Sequence, residues 1–309
     1  MDRRAWLRVG CGWVFAQPKA SWPQASKPTT IPSEGLAKGW PALKVVASFS
    51  ILADMVRQIA GPLADVHSLV GPNADAHVFE PSPKDTQLLR RADLVIVNGL
   101  HFEGWIDRLV NGSGYRGPVV TASEGVQARR MDGGGGIDPH AWQDLRLAGQ
   151  YAGHIEAALA ARMPAQAATI RARASRYRER FQALHQEAAR AFGELPVNQK
   201  CVLTSHDAFG YFGAAYGIRF EAPQGWSTDT EASAAKVAAL VREIKARQVR
   251  ALFVENMTDP RLVRRIAEET GARIGGVLYP DALSLPDGPA ATYLDLMRHN
   301  IQTLLKALR

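Results

Sequence analysis

The sequence predicts an α/β protein built as two strand-helix lobes with largely parallel sheets, joined by one long rigid helix. Apolar strands alternate with amphipathic helices over two separate stretches of chain, a pattern typical of parallel sheets covered by helices. The stretch 144–195 between them is helix-forming and contains no strand pattern. With 309 residues, of which 46% are hydrophobic, the chain is long enough for two domains that each bury a core.

The first lobe begins with the run KVVASFS at 44–50, whose β-branched residues indicate a strand. The helix that follows places Ile51, Met55 and Ile59 on one face and ends at Gly61. Further strands are expected at 66–70, 93–99 and 119–123, with helices over 84–92 and 102–110 between them.

The predicted linking segment follows a glycine run, MDGGGGI at 131–137. One helix is expected within 144–163, and Pro164 opens the next. The segment 165–192 is helix-forming throughout and, at 1.5 Å per residue, predicts a rod of roughly 42 Å. We expect this rod to join the two lobes rigidly.

The alternation of strands and helices resumes beyond Pro196. The helix predicted at 259–271 has clear end signals, with Asp259 as cap, Pro260 at the first helical position and Gly271 as stop. Strands are expected at 200–206, 250–256 and 273–280, and helices at 209–217, 233–248, 259–271 and 289–308.

The N-terminal residues predict an export signal of marginal strength. A basic start precedes a short apolar stretch at 9–16, and Pro, Ser, Lys and Thr then dominate up to residue 41. Arg8 stands where a lipoprotein signal ending at Cys11 would have an aliphatic residue, so we expect no lipid anchor. The predicted domains are 1–42 for the export signal and disordered lead-in, 43–163 for the first lobe, 164–195 for the linking helix and 196–309 for the second lobe.

The composition excludes several classes of function. The net charge of +7 supports only non-specific attraction, and much of it lies in RARASRYRER at 171–180, where the arginines recur on several sides of a helix. No zinc-finger spacing or RNA-recognition signature is present, so we expect no nucleic-acid partner. Two distant cysteines, Cys11 and Cys201, imply no disulfide framework.

Four polar residues follow predicted strands or open the linking segment, where open α/β sheets place their ligands. They are His77, His140, His206 and Asp281, two from each lobe. Three neutral imidazoles and one carboxylate suit a divalent transition metal, and the nitrogen count favours zinc. The sequence therefore predicts a metal site where the two lobes face each other.

Each of these residues also has a purely structural alternative. In that interpretation, His77 is a solvated loop histidine and His140 caps a helix. His206 is a core histidine bonded to a backbone carbonyl, and Asp281 is a turn residue after Pro280. The residues by themselves leave these alternatives open.

Several motifs in combination resemble one family of metal receptors. They are ASFSI at 47–51, GPNADAHVFEPSPKD at 71–85, ADLVIVNGLHFE at 92–103, DPHAWQD at 138–144, TSHDAFGYF at 204–212, FVE at 253–255 and LYPDALS at 278–284. The chain from 43 to 309 is similar to the zinc and manganese solute-binding proteins of ABC importers, the cluster 9 or adhesin-like family.

The resemblance implies two α/β lobes joined by a long helix, with Zn²⁺ or Mn²⁺ held as transported cargo between them. It assigns the ligands to His77, His140, His206 and Asp281, and histidine at the third position resembles zinc receptors. Many zinc receptors of the family carry a histidine-rich loop where this chain has MDGGGGI, a departure that weighs against zinc and against a second, low-affinity site.

The resemblance also implies a periplasmic monomer that delivers its ion to an ABC permease in the inner membrane. Four protein ligands leave no open position for reacting water, so we expect no enzyme, and the rival zinc-hydrolase reading lacks an H-E-x-x-H helix. Glu80, Asp207 and Glu255 are candidates to orient the imidazoles. Because the ligands must lose their protons, capture is expected to weaken below about pH 6.

Overall fold

The computed structural model describes residues 42–131, 136–225, 227–229, 233–247, 249 and 251–309. The predicted export signal and lead-in therefore lie outside the described residues, apart from Ala42. Most of the glycine run lies outside them as well. The domain boundaries at 163 and 196 stay predictions.

The first sheet is parallel throughout and consists of four short strands. They are β1 (Leu43–Phe49), β2 (Ala64–Val70), β3 (Leu94–Val97) and β4 (Val119–Thr121), in the order β2-β1-β3-β4. Its helices are α1 (Ser50–Ala60), α2 (Pro83–Arg90) and α3 (Ile106–Ser113). Because β1 and β3 occupy the centre and are covered on both faces, their apolar runs are buried almost without interruption.

The second sheet repeats this arrangement. Its strands are β5 (Cys201–Leu203), β6 (Arg219–Glu221), β7 (Ala251–Glu255) and β8 (Arg273–Leu278), all parallel, in the order β6-β5-β7-β8. The helices that follow the linking segment are α6 (Gly210–Tyr216), α7 (Ala234–Arg247), α8 (Arg261–Thr270) and α9 (Tyr293–Leu308). The two linking helices, α4 (Leu145–Arg162) and α5 (Ala167–Gly193), lie between the two sheets in the sequence. The predicted fold class is confirmed.

The long helix α5 has 27 residues and packs against α4, α1, α6 and α9. A buried carboxylate fixes this packing: Asp54 of α1 accepts hydrogen bonds from the Tyr293 backbone N–H at 2.9 Å and from the Tyr177 hydroxyl at 3.4 Å. Burial raises the pKa of Asp54, although the hydrogen bonds from the Tyr293 N–H and from Gln58 partly offset the effect. The link between the lobes is thus a helical layer joined by polar contacts rather than a free rod.

Several elements differ from the sequence prediction. Strand β5 ends at Leu203, so His206 lies in the loop beyond it rather than at its end. The last helix begins at Tyr293, later than predicted, because the Thr292 side chain accepts the Asp295 N–H and caps it there. The edge strand β6 was not predicted, since its three residues RFE carry no apolar run.

Gly213 explains how α6 approaches this unpredicted strand. A Cβ built on Gly213 would lie 2.5 Å from the backbone oxygen of Ile218, and the Gly213 carbonyl accepts the N–H groups of Gly217 and Ile218. The tight turn into β6 therefore needs glycine at this position.

No helix among the described residues is long and apolar enough to cross a membrane.

We predict that Gly213→Ala lowers the free energy of unfolding by about 1–3 kcal/mol, because the added methyl group has to displace backbone. Gly149→Ala in α4 is the matched control, since a Cβ there would meet nothing within 4 Å. That variant should gain about 0.5–1 kcal/mol from helix propensity. Urea denaturation of both variants tests the pair, and equal effects would contradict the account of α6.

Candidate metal centre

The four residues predicted from the sequence converge in the structure. His77 lies beyond β2, His140 beyond β4, His206 beyond β5 and Asp281 beyond β8, so that four strand-end loops each supply one side chain. One potential ligand atom from each residue lies within 4.8 Å of all the others. Each parallel sheet places two of these loops at the edge where the carboxyl ends of its strands lie.

The three imidazoles surround the carboxylate of Asp281. The ring centroids form a nearly equilateral triangle, with sides of 5.5 Å (His77–His140), 5.7 Å (His77–His206) and 5.5 Å (His140–His206). Asp281 Oδ2 lies 3.0 Å from Nε2 of His206 and 3.3 Å from Nε2 of His77. Its Oδ1 lies 3.6 Å from Nε2 of His140, so all three rings present the same nitrogen to one carboxylate.

The site is almost closed to solvent. The side chains of His140, His206 and Asp281 are fully buried, and that of His77 is only 1% exposed. This burial rules out a solvated His77 and a plain turn role for Asp281. The His140 side chain caps no helix, and His206 bonds to carboxylates rather than to a backbone carbonyl, so the remaining structural alternatives are wrong as well.

Two of the imidazoles are held from behind by buried carboxylates. Glu255 Oε2 lies 2.6 Å from Nδ1 of His206, and its Oε1 accepts the backbone N–H groups of Ser205 and His206. Asp138 Oδ1 lies 2.9 Å from Nδ1 of His140. Such partners fix ring orientation and raise the basicity of the nitrogen that faces the ion.

These contacts confirm that Glu255 orients an imidazole, as predicted. The same role predicted for Glu80 is wrong. Glu80 is exposed and lines a surface cavity of about 420 Å³ with Phe79 and Trp105. Sequence reasoning missed Asp138, although it opens the motif DPHAWQD two residues before His140. An acid so close in sequence to a candidate ligand was the signal that could have identified it. For Asp207 the orienting role stays a prediction.

The protonation states of the site are strongly shifted. Burial alone would raise the pKa of Asp281, but the attraction of His140 and His206 and hydrogen bonds from the imidazoles outweigh it and hold that pKa far below its usual range. Burial lowers the pKa of His206, yet Glu255 and Asp281 more than compensate and raise it well above 6.5. For His77, burial dominates and its pKa is lowered.

The segment that carries His140 also supports the loop that carries Asp281. The indole nitrogen of Trp142 and the amide nitrogen of Gln143 donate to the backbone oxygen of Pro280 at 2.9 and 2.6 Å. Phe102 packs against both His77 and Trp142 and closes the apolar wall of the site. Asp281 is therefore positioned by the first half of the chain, although it belongs to the second.

Three imidazole nitrogens and one carboxylate, buried at the meeting point of two parallel-sheet lobes, define a metal-receptor type of site. The comparisons with known proteins agree. The family model described as zinc-uptake complex component A, periplasmic, matches residues 45–307, and the chain belongs to this family.

Individual relatives resemble the chain over most of its length. The manganese-binding lipoprotein MntA of Bacillus subtilis (strain 168) is 33% identical over 275 residues, which cover 86% of this chain and 90% of MntA. The manganese ABC transporter substrate-binding lipoprotein PsaA of Streptococcus pneumoniae is 30% identical, with coverage of 86% and 89%. Among solved structures, the periplasmic zinc binding protein TroA from Treponema pallidum has a TM-score of 0.83 at 29% identity, covering 87% of this chain and 99% of its own.

The protein is therefore the substrate-binding component of a metal ABC transporter, which works with a permease and is not an enzyme. The expected preference for zinc is not confirmed, because the relatives include proteins named for manganese as well as for zinc.

We predict that Glu255→Gln lowers the affinity for a divalent transition metal by about 10- to 100-fold, since His206 loses the charge that raises its basicity. Glu80→Gln, the same change at an exposed position, is the matched control and should bind like the parent. Competition with a chelator of known affinity measures both variants. Parental affinity in Glu255→Gln would show that the contact does not tune the site.

Proposed function

We propose that the protein is an extracytoplasmic receptor that captures one divalent transition metal ion, Zn²⁺ in preference to Mn²⁺, and delivers it to an ABC permease. His77, His140, His206 and Asp281 are the proposed ligands. The observation that carries the proposal is the convergence of these four buried side chains, with their ligand atoms within 4.8 Å of one another.

The donor set supports the preference for zinc. Three imidazole nitrogens suit Zn²⁺, whereas the harder Mn²⁺ prefers oxygen ligands, and an N/O site generally binds zinc more tightly than manganese. Manganese is the second candidate cargo because MntA and PsaA, which resemble this chain, are named for it. Metal availability as well as affinity then decides which ion is carried.

The proposed place of action is the periplasm, with the receptor working as a monomer. MntA and PsaA are named lipoproteins, and they give no support to the expectation that this chain lacks a lipid anchor.

Capture exchanges protons for the ion. Asp281 is already ionised, and in the absence of metal its charge is balanced by protonated His206, whose pKa is raised. An incoming cation has to displace that proton, because only the neutral imidazole coordinates. Glu255 remains behind Nδ1 of His206 and favours the neutral ring with Nε2 free for the metal.

We predict one tightly bound ion per chain and a loss of more than about 100-fold in affinity for His206→Ala, because losing a ligand exceeds losing an outer partner. His154→Ala is the matched control: His154 is half-buried and bonds the Ala122 carbonyl, away from the four ligands. Isothermal titration with Zn²⁺ and Mn²⁺ provides both measurements.

Equal affinity for His206→Ala and the parent would refute the ligand assignment. In the same titrations, Mn²⁺ that resists displacement by an equal concentration of Zn²⁺ would refute the preference for zinc and leave the receptor function intact.

We also predict that metal capture weakens as the pH falls, starting above the ordinary histidine pKa of 6.5. The raised pKa stabilises protonated His206 in the metal-free protein; this stability is complete below pH 6.5 and disappears as the pH rises through the folded-state pKa. Competition between protons and the metal ion for His206 therefore begins at a higher pH than the value of about 6 expected from the sequence. Titrations at pH 7.5 in buffers of different ionisation enthalpy should reveal proton release, and heats independent of the buffer would contradict this account.

A further inference from the structure

The loop that carries His77 is held across the site by hydrogen bonds that do not involve the four proposed ligands. The Thr228 hydroxyl donates to Asp75 Oδ2 at 2.5 Å. The Asn73 backbone N–H donates to the Leu283 carbonyl at 2.9 Å, and the Asn256 side-chain amide donates to Asn73 Oδ1 at 2.9 Å. The partners come from three loops of the second lobe, which follow β6, β7 and β8.

The Asp75 carboxylate connects the second lobe to His77. While Oδ2 accepts from Thr228, Oδ1 accepts the backbone N–H of His77 at 2.9 Å. The position of the His77 backbone is thus fixed by a residue that is itself bound to the opposite lobe. A hydrogen bond to an ionised carboxylate is roughly twice as strong as one between neutral groups.

The conformation of the loop also depends on these contacts. Asn73 has a φ of 54°, in the left-handed region that a non-glycine residue adopts at a cost unless its surroundings hold it there. Both the N–H and the side chain of Asn73 are used in bonds across the site. These bonds therefore help to hold Asn73 in this conformation.

His77 differs from the other three proposed ligands in the way it is supported. His140 and His206 are held by buried carboxylates, and the loop of Asp281 is held by Trp142 and Gln143. The bonds that hold the His77 loop to the second lobe instead lie at the half-exposed rim, where Thr228, Asp75 and Asn256 are all partly accessible. Within its own lobe the loop is anchored by the Trp105 indole, which donates to the Ala76 carbonyl at 2.8 Å. Rim contacts open at a lower free-energy cost than buried ones.

We propose that Asp75 and Thr228 form a latch that positions His77 and sets the rate at which the metal leaves. This inference rests on the proposed metal-receptor function and goes beyond it, because neither residue is a ligand. The ion leaves when the latch opens and His77 withdraws with its loop, while His140, His206 and Asp281 stay in place. Weakening the latch should therefore raise the dissociation rate more than it changes the association rate.

Thr228→Val tests the latch, because it removes the hydroxyl donor and keeps the shape of the side chain. Stopped-flow mixing of the Zn²⁺-loaded protein with excess chelator should show dissociation about tenfold faster than in the parent, the effect expected from losing one charge-assisted hydrogen bond. Thr228→Ser keeps a hydroxyl and should restore a rate close to the parental one. Asn256→Ala removes the neighbouring bond to Asn73 across the site, together with a bond to the Ala282 carbonyl of its own lobe, and should also accelerate release.

The matched control is Thr270→Val, which is also half-buried in the second lobe but loses only hydrogen bonds at the end of its own helix: those to the Ile266 and Ala267 carbonyls and the one from the Ala272 N–H. It should release Zn²⁺ at the parental rate, whatever it does to thermal stability. Parental rates in Thr228→Val, or equal acceleration in Thr270→Val, would overturn the latch while leaving the receptor function standing. If the parent itself bound no Zn²⁺, the proposed function would fail first, and the latch with it.

Discussion

The constraint on which the site depends is the burial of the Asp281 carboxylate among three imidazoles. A fully buried charge is costly unless it is paired, and here Nε2 atoms lie 3.0, 3.3 and 3.6 Å from its two oxygens. The carboxylates of Asp281 and Glu255 hold the pKa of His206 well above 6.5, and a cation bound at its Nε2 would be attracted by the same carboxylates. The groups that keep the metal-free site folded are the groups proposed to coordinate the ion.

This arrangement explains why so much polar structure surrounds the site. Each ionisable group needs a partner behind it, and the chain supplies Glu255 for His206 and Asp138 for His140. The backbone N–H groups of Ser205 and His206 in turn hold Glu255. His140 and His206 are each contacted by a carboxylate at both ring nitrogens, which offsets the cost of burying them.

The helices around α5 complete the architecture by holding the two sheets in a common layer. Asp54 joins α1 to the start of α9 and to Tyr177 of α5, so the lobes share packed helices as well as a site. We expect this packing to restrict large hinge motion, which leaves small movements of strand-end loops as the route for an ion to enter and leave. The rim position of the His77 loop fits that role.

By itself the sequence determined the alternating pattern of both lobes, the long helix and the identity of the four converging residues. Those features are local: β-branched runs, helical periodicity and stop glycines such as Gly61 and Gly271 act through neighbouring residues, and polar residues after parallel strands share one edge. Tertiary structure alone decided the edge strand β6, whose residues RFE form a strand only because β5 offers its edge. It also decided the pairing of Thr228 with Asp75, and it placed Glu80 at the surface while Asp138 lies behind His140. Contacts between residues distant in sequence depend on how whole elements pack, and no pattern within a short window contains that information.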